Sequence, residues 1–325
     1  MTDTPALEVK KVKYSSRLKK RALFYTCIVA PFMIQFAIFY FYVNIETFVL
    51  AFQKYVSQGV GKPYKIVFAG IDNFGAAFNW LIANSHYYLN TLKFYFFELV
   101  IGFTLALLFS YYLYKRLPGH SMFKYFLFVP HILSSLLLVI LYTFLVEDAY
   151  VAICKNWFGM EGEIYGLLHQ TQPKATRFTT IVVFVIWLSF GTKVLVYTGT
   201  MESIDPSMVE SANLDGVNII QEFWFITMPM IWTTFMTFFI TMLAGVFTNQ
   251  MSLFTFYGSS SPDDISNIGY KLYISTLNAN LAEDTTGKYL NYPAISAVGL
   301  IITAVLTPIT LGIRKIMIKY GPSAD

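Results

Sequence analysis

Apolar residues in this chain come in blocks of twenty or more, and that pattern decides the fold class before any motif is read. A helix rises ~1.5 Å per residue, so about 20 apolar residues cross the hydrocarbon of a bilayer. Six such blocks are expected, at residues 22–45, 90–114, 121–146, 178–199, 229–253 and 292–313. Only 13% of the 325 residues are charged, against roughly 25% in a soluble domain. Too few charges remain to cover a globule in water. An all-α membrane protein with six transmembrane helices is therefore expected.

An even number of spans puts both ends on one side. Lys10, Lys11, Lys13, Arg17, Lys19, Lys20 and Arg21 precede the first span; Lys115, Arg116 and Lys124 mark the loop between the second and third; Arg314, Lys315 and Lys319 follow the sixth. Longer loops on the other side hold Lys54, Lys62, Lys65, Lys155, Lys174, Arg177, Lys271 and Lys288. This asymmetry predicts that both termini are cytoplasmic. The expected organisation is a basic N-terminal segment at 1–21, a transmembrane domain at 22–313 and a cytoplasmic tail at 314–325. The basic run is read as a topological anchor, rather than a signal peptide or a surface-binding basic arm, and no nucleic-acid partner is expected. Cys27 falls in the first span and Cys154 in a loop after the third, so no disulfide is expected. The four histidines are scattered, and no metal site is expected.

One cytoplasmic segment breaks the charge pattern. Residues 200–228 hold no Lys or Arg but do hold Glu202, Asp205, Glu210, Asp215 and Glu222. Such a loop suits a protein partner better than lipid headgroups. Asp205 can cap a helix that starts at Pro206. Ile204, Met208 and Ala212 make a short apolar stripe. Asp215-Gly216 reads as a helix stop and turn. Asn218 with Gln221 can open a second helix, and Pro229 marks entry to the fifth span. The expected form is helix, sharp turn, helix along the membrane surface.

Glu210-Ser211-Ala212, three residues, Gly216, nine residues and Ile226-Thr227-Met228-Pro229 closely resemble the coupling loop of ABC-importer permeases, Glu-Ala-Ala, Gly and Ile-x-Leu-Pro at the same spacing. Ser211 and Met228 depart mildly from that pattern. "MESIDPSMVESANLDG", "VLAFQKY", "FAGIDNFGAAF" and "NTLKF" are similar to the sugar-importing (maltose and oligosaccharide) branch. The resemblance implies the type I importer arrangement, with a coupling helix between the fourth and fifth helices. Glu210, Ser211, Ala212, Asp215, Gly216, Ile226, Met228 and Pro229 would make the ATPase contact. It also implies a second permease subunit, usually a different chain, two ATPase subunits carrying ATP and Mg, and a periplasmic or extracellular solute-binding protein. No G-x-x-x-x-G-K-[ST] motif occurs in the sequence, so this chain would bind no nucleotide or other cofactor. The implied activity is transport of a sugar or oligosaccharide by alternating access and without covalent chemistry.

Ionisable residues inside spans are costly and default to functional candidates. Lys193 and Glu98 are two. They could line the pathway or pair across helices, and Lys193 could instead snorkel to an interface or bind an acidic sugar. Trp187, Tyr197, Asn249, Gln250 and Phe254 supply the flat faces and amides that sugar recognition needs, although aromatic residues also populate membrane interfaces. Ser189, Phe247, Phe256 and Tyr257 share these stretches. The loop 258–270 keeps only Gly258 of the glycine-rich run found in the sugar branch, where it could reach the binding protein. An ion-coupled secondary transporter would show inverted repeats and more intramembrane carboxylates. A membrane enzyme would cluster its Asp, Glu or His. An ABC permease for glycerol phosphate or an amino acid would carry the same docking loop.

Overall fold

The computed structural model describes residues 16–56, 58, 64–279 and 290–322. Lys10, Lys11 and Lys13 of the basic arm, and Lys62 and Lys288 of the opposite loops, lie outside the described residues.

Long apolar runs without internal caps form long helices. In chain order the elements are α1 (Lys19–Leu50), the antiparallel strands β1 (Gln53–Val56) and β2 (Lys65–Phe68), α2 (Asp72–Ala83), α3 (His86–Tyr114), α4 (His120–Ile132) and α5 (Ser135–Asn156). They continue with α6 (Lys174–Glu202), α7 (Pro206–Leu214), α8 (Ile219–Met230) and α9 (Trp232–Ala244), α10 (Leu253–Tyr257), α11 (Ile268–Leu277) and α12 (Tyr292–Tyr320). Among the described residues, α1, α3, α5, α6 and α12 are long and apolar enough to cross a membrane, and the bent pair α8–α9 makes a sixth when counted as one broken span.

Two spans differ from the hydropathy reading. The block at 121–146 is not one helix. Leu133 and Ser134 adopt extended backbone, and the Ser134 side chain caps α5 by accepting from the Leu137 amide. The crossing helix is α5, so Cys154 is buried within a helix rather than sitting in a loop. The fifth span does not run straight from 229 to 253 either. It bends by 70° between α8 and α9, and α9 stops at Ala244. Pro229 thus lies in the last turn before the bend rather than at the start of the crossing arm. Helix α12 continues through Arg314, Lys315 and Lys319, residues expected in the tail.

Small residues let the helices close on one another. Ala106 and Ser110 bring α3 against α6, where the Ser110 hydroxyl donates to the Val194 carbonyl at 3.2 Å. Ala51, Ala77 and Ala297 do the same where α1 and α2 meet α12. Trp232 at the start of α9 donates to the Met317 carbonyl of α12 at 3.2 Å. Asn73 ties α2 to the chain leaving α1, donating to the carbonyls of Ala51 and Gln53, both at 2.8 Å. The most enclosed span is α6, half buried over its most apolar stretch; the corresponding stretch of α1 has none of its residues buried. An apolar helix exposed all round is stable only against hydrocarbon or another apolar partner.

Candidate functional site

Local chemistry shapes the 205–230 segment. Asp205 accepts from the Ser207 amide at 2.9 Å and Pro206 takes the first helical position. That bond holds the Asp205 carboxyl below its usual range. Helix α7 ends in a Schellman turn: the Val217 amide donates to the Ala212 carbonyl and the Gly216 amide to the Asn213 carbonyl. Gly216 sits at φ +77°, where a Cβ is unfavourable. Asn218 and Gln221 then form a reciprocal capping box at 2.9 and 3.0 Å that opens α8. The helix-turn-helix form expected of this segment is therefore present.

Its surfaces are divided. Ala212 and Met228 are buried, while Glu210, Ser211 and Asp215 are exposed and Ile226 is half-buried. The Ser211 hydroxyl is spent on the Ser207 carbonyl at 2.8 Å. Leu214, Ile219, Ile220 and Phe225 are exposed apolar side chains on the hairpin. Between its arms lies a cleft of about 730 Å³, lined by Met208, Ser211, Ala212, Gly216, Phe225 and Ile226 among others. The acidic residues do not form one outward face, because Glu222 turns inward. Its carboxylate oxygens lie 2.5 and 2.6 Å from Lys115 Nζ at the end of α3. A separation of 107 residues leaves no sequence signal for that pair.

Within the spans, Lys193 and Glu98 are brought together. Nζ of Lys193 lies 2.8 Å from Glu98 Oε1, 3.3 Å from the Ser189 hydroxyl and 4.6 Å from the centre of the Phe103 ring. Glu98 opens a π-helical turn, Glu98–Phe103, a wider winding that often accompanies functional positions. Trp187 is six residues before Lys193 and so on another face of α6. It lines an apolar cleft of about 350 Å³ with Phe97, Ile101, Val183 and Phe190. Tyr197 is wholly enclosed, edge-on to Phe238 at 5.2 Å, and its hydroxyl has no partner among the described residues.

Asn249, Gln250 and Phe254 lie on the irregular chain that follows α9. Asn249 Oδ1 accepts from the Met251 amide at 2.8 Å, and its carbonyl accepts from Asn267 at 3.0 Å. Met251 and Ser252 both take positive φ. Gln250 Oε1 is buried without a partner among the described residues, and Phe254 packs edge-on to Tyr273 at 4.9 Å. Non-helical backbone at membrane depth persists where protein covers it or where it lines a water-filled cavity. The 258–267 loop is ordered by charge: Arg177 pairs with Asp264 at 2.6 Å, and Tyr87 and Lys271 both reach Asp263 at 2.7 Å.

Comparison with known proteins places this geometry. The arabinooligosaccharides transport system permease protein AraP of Halalkalibacterium halodurans is 23% identical over 261 residues, 78% of each chain. The crystal structure of a bacterial ABC transporter involved in the import of the acidic polysaccharide alginate contains a chain with the same fold, at a TM-score of 0.67 and 22% identity over 94% of this chain and 98% of that one. A second alginate transporter structure, in complex with an alginate pentasaccharide-bound periplasmic protein, matches at a TM-score of 0.67 and 20% identity, over 93% of this chain and 95% of that one. The family described as binding-protein-dependent transport system inner membrane component matches residues 98–319, more than half of the chain, including α7, the Gly216 turn and α8. The chain belongs to that family, whose members are ABC-transporter permease subunits and not enzymes.

Proposed function

We propose that this chain is one of two membrane-spanning subunits of an ATP-driven importer and carries half the pathway for a sugar or oligosaccharide. The observation that carries this reading is the α7–Gly216–α8 hairpin in a member of this family. Helix α7 has a buried side at Ala212 and an exposed one at Glu210, and its turn bears Leu214, Ile219 and Ile220 on the outside. Exposed apolar side chains around a cleft suit a protein partner. That partner is an ATPase subunit. Glu210, Ser211, Ala212, Asp215 and Gly216 make the contact, while Ile226, Met228 and Pro229 carry its motion towards the bend before α9. ATP and Mg bind the ATPase pair, not this chain.

The sugar assignment is supported by the arabinooligosaccharide and alginate relatives. A solute-binding protein delivers the sugar, as the alginate complex suggests, and a second permease subunit completes the path. Alternating access then exposes a site between the subunits to each side in turn. The site is drawn from α6 and the irregular chain after α9, with Asn249, Gln250 and Phe254 as contacts and Trp187 and Tyr197 as further candidates. Lys193 would meet an acidic sugar only on release from Glu98. The chain resides in the cytoplasmic membrane with both termini in the cytoplasm, which puts Lys19, Lys20, Lys115, Arg116, Arg314 and Lys315 on the hairpin's side.

Affinity purification of the tagged chain in mild detergent, with mass spectrometry, tests the reading. A second permease and an ATPase with a phosphate-binding loop are expected at stoichiometric levels. The chain emerging alone would overturn it.

A further inference from the structure

The cytoplasmic end of α3 is pinned to the first turn of α8 at two points. Lys115 Nζ lies 2.5 and 2.6 Å from the Glu222 carboxylate oxygens. One turn earlier on α3, the Tyr111 hydroxyl donates to the Ile219 carbonyl at 3.2 Å, and its ring meets Phe223 edge-on at 5.2 Å. Tyr111 and Lys115 are spaced i, i+4, and Ile219 and Glu222 i, i+3, so each pair shares a helix face. Two contacts one turn apart fix rotation as well as position. The Glu222 side chain is 3% exposed and that of Lys115 23%. The carboxylate is thus shielded from competing water, and the ammonium also lies 5.6 to 5.7 Å from the rings of Tyr111 and Tyr114.

The same first turn of α8 is also tied to α7 through the Gly216 turn. Asn218 and Gln221 cap it, and Val217 closes the Schellman turn of α7. Displacement of α7 therefore has two outlets. One runs along α8 to the bend before α9; the other crosses to α3, the helix that carries Glu98. At ~1.5 Å per residue, Lys115 lies roughly 25 Å along α3 from Glu98.

Resting on the proposed docking of the hairpin to an ATPase, we infer that Lys115 and Glu222 are positioning residues forming a rigid joint through which hairpin motion reaches α3. Neither is among the residues assigned to the ATPase contact. The joint's partner chemistry is internal to this chain, so it works whatever the solute.

The test uses the complete purified transporter with its ATPase subunits, spin-labelled at Leu117→Cys and Trp224→Cys in a Cys27→Ser, Cys154→Ala background. Trp224 on α8 is 59% exposed and lies outside the residues assigned to the ATPase contact, and Leu117 stands three residues after the end of α3. ATP, Mg and vanadate trap the closed ATPase. The wild-type joint is expected to keep one narrow separation, moving by less than about 2 Å on trapping, a fraction of a helical turn. Glu222→Gln and Lys115→Met are expected to retain the ATPase but to broaden or shift that separation on trapping, and Lys115→Glu with Glu222→Lys to narrow it again. A wild-type separation that changes by several ångströms overturns the rigid joint without any substitution of the pair. Single variants as narrow as wild type, with ATPase bound, overturn the role of the ion pair alone. A wild-type chain that holds no ATPase overturns the docking reading and the joint with it.

Discussion

Lys193 and Glu98 form a 2.8 Å ion pair between α6 and α3, with both side chains about nine-tenths buried. Removing one member leaves the other charged and enclosed, which costs about 3–5 kcal/mol, whereas replacing both by apolar residues of similar volume is close to neutral. Glu98→Leu and Lys193→Met are each expected to lower the unfolding temperature of the detergent-solubilised protein, and the double variant to recover most of the loss. A double variant as unstable as the sum of the singles would mean that the pair contributes no coupling.

The same pair bears on solute choice. If Lys193 meets a carboxylate on release from Glu98, Lys193→Met in the double variant should reduce uptake of an acidic oligosaccharide at least ten-fold more than that of a neutral one. Equal reductions, measured with radiolabelled solutes in whole cells, would remove the case for charge recognition.

Gly216 holds φ +77° with open space around its Cα, so a side chain there meets conformational cost alone. Gly216→Asn, which tolerates that region, should keep ATP-dependent transport. Gly216→Pro cannot adopt the angle and should separate ATP hydrolysis from uptake while the protein stays in the membrane. Glu210→Lys on the exposed side of α7 should do the same. Normal uptake by both disruptive variants would remove the docking assignment.

Gly269 is constrained by space instead. A Cβ there would stand 2.3 Å from the Asn249 carbonyl oxygen and 2.6 Å from its carbon, both backbone atoms. Gly269→Ala must displace the irregular chain after α9, at about 1–3 kcal/mol. Lower thermal stability together with weakened solute uptake is expected; unchanged uptake would mean that the 249–254 segment does not form the path.

Asp263 carries the pH prediction. Hydrogen bonds from Lys271 and then Tyr87 hold its carboxyl below the usual range. A depressed carboxyl stabilises the folded state above its unfolded value, near pH 4, and loses that contribution as pH falls through the lower folded value. The Asp263 side chain is 74% exposed, so the pair is worth about 0–1 kcal/mol at most. Unfolding temperature measured from pH 6 to pH 3 should fall slightly less steeply in Asp263→Asn than in the wild type; a steeper fall would reverse the assigned sign.

What the sequence determined by itself was everything written within a few residues. Apolar block length set the membrane-crossing helices, because hydrocarbon satisfies no backbone polar group and each span must satisfy its own. Asp205-Pro206, Gly216 and the Asn218–Gln221 box set the hairpin, because caps and turns act over three to five residues. The proposed docking motif was legible because it coincides with those local signals. Tertiary structure alone decided the rest. It broke the 121–146 block at Ser134 and bent the fifth span after Met230, choices that depend on what each helix packs against. It also turned Glu222 inward to Lys115 and closed Lys193 onto Glu98, pairs separated by 107 and 95 residues. A buried charge takes whichever opposite charge the packed helices bring within reach, and that distance is not written along the chain.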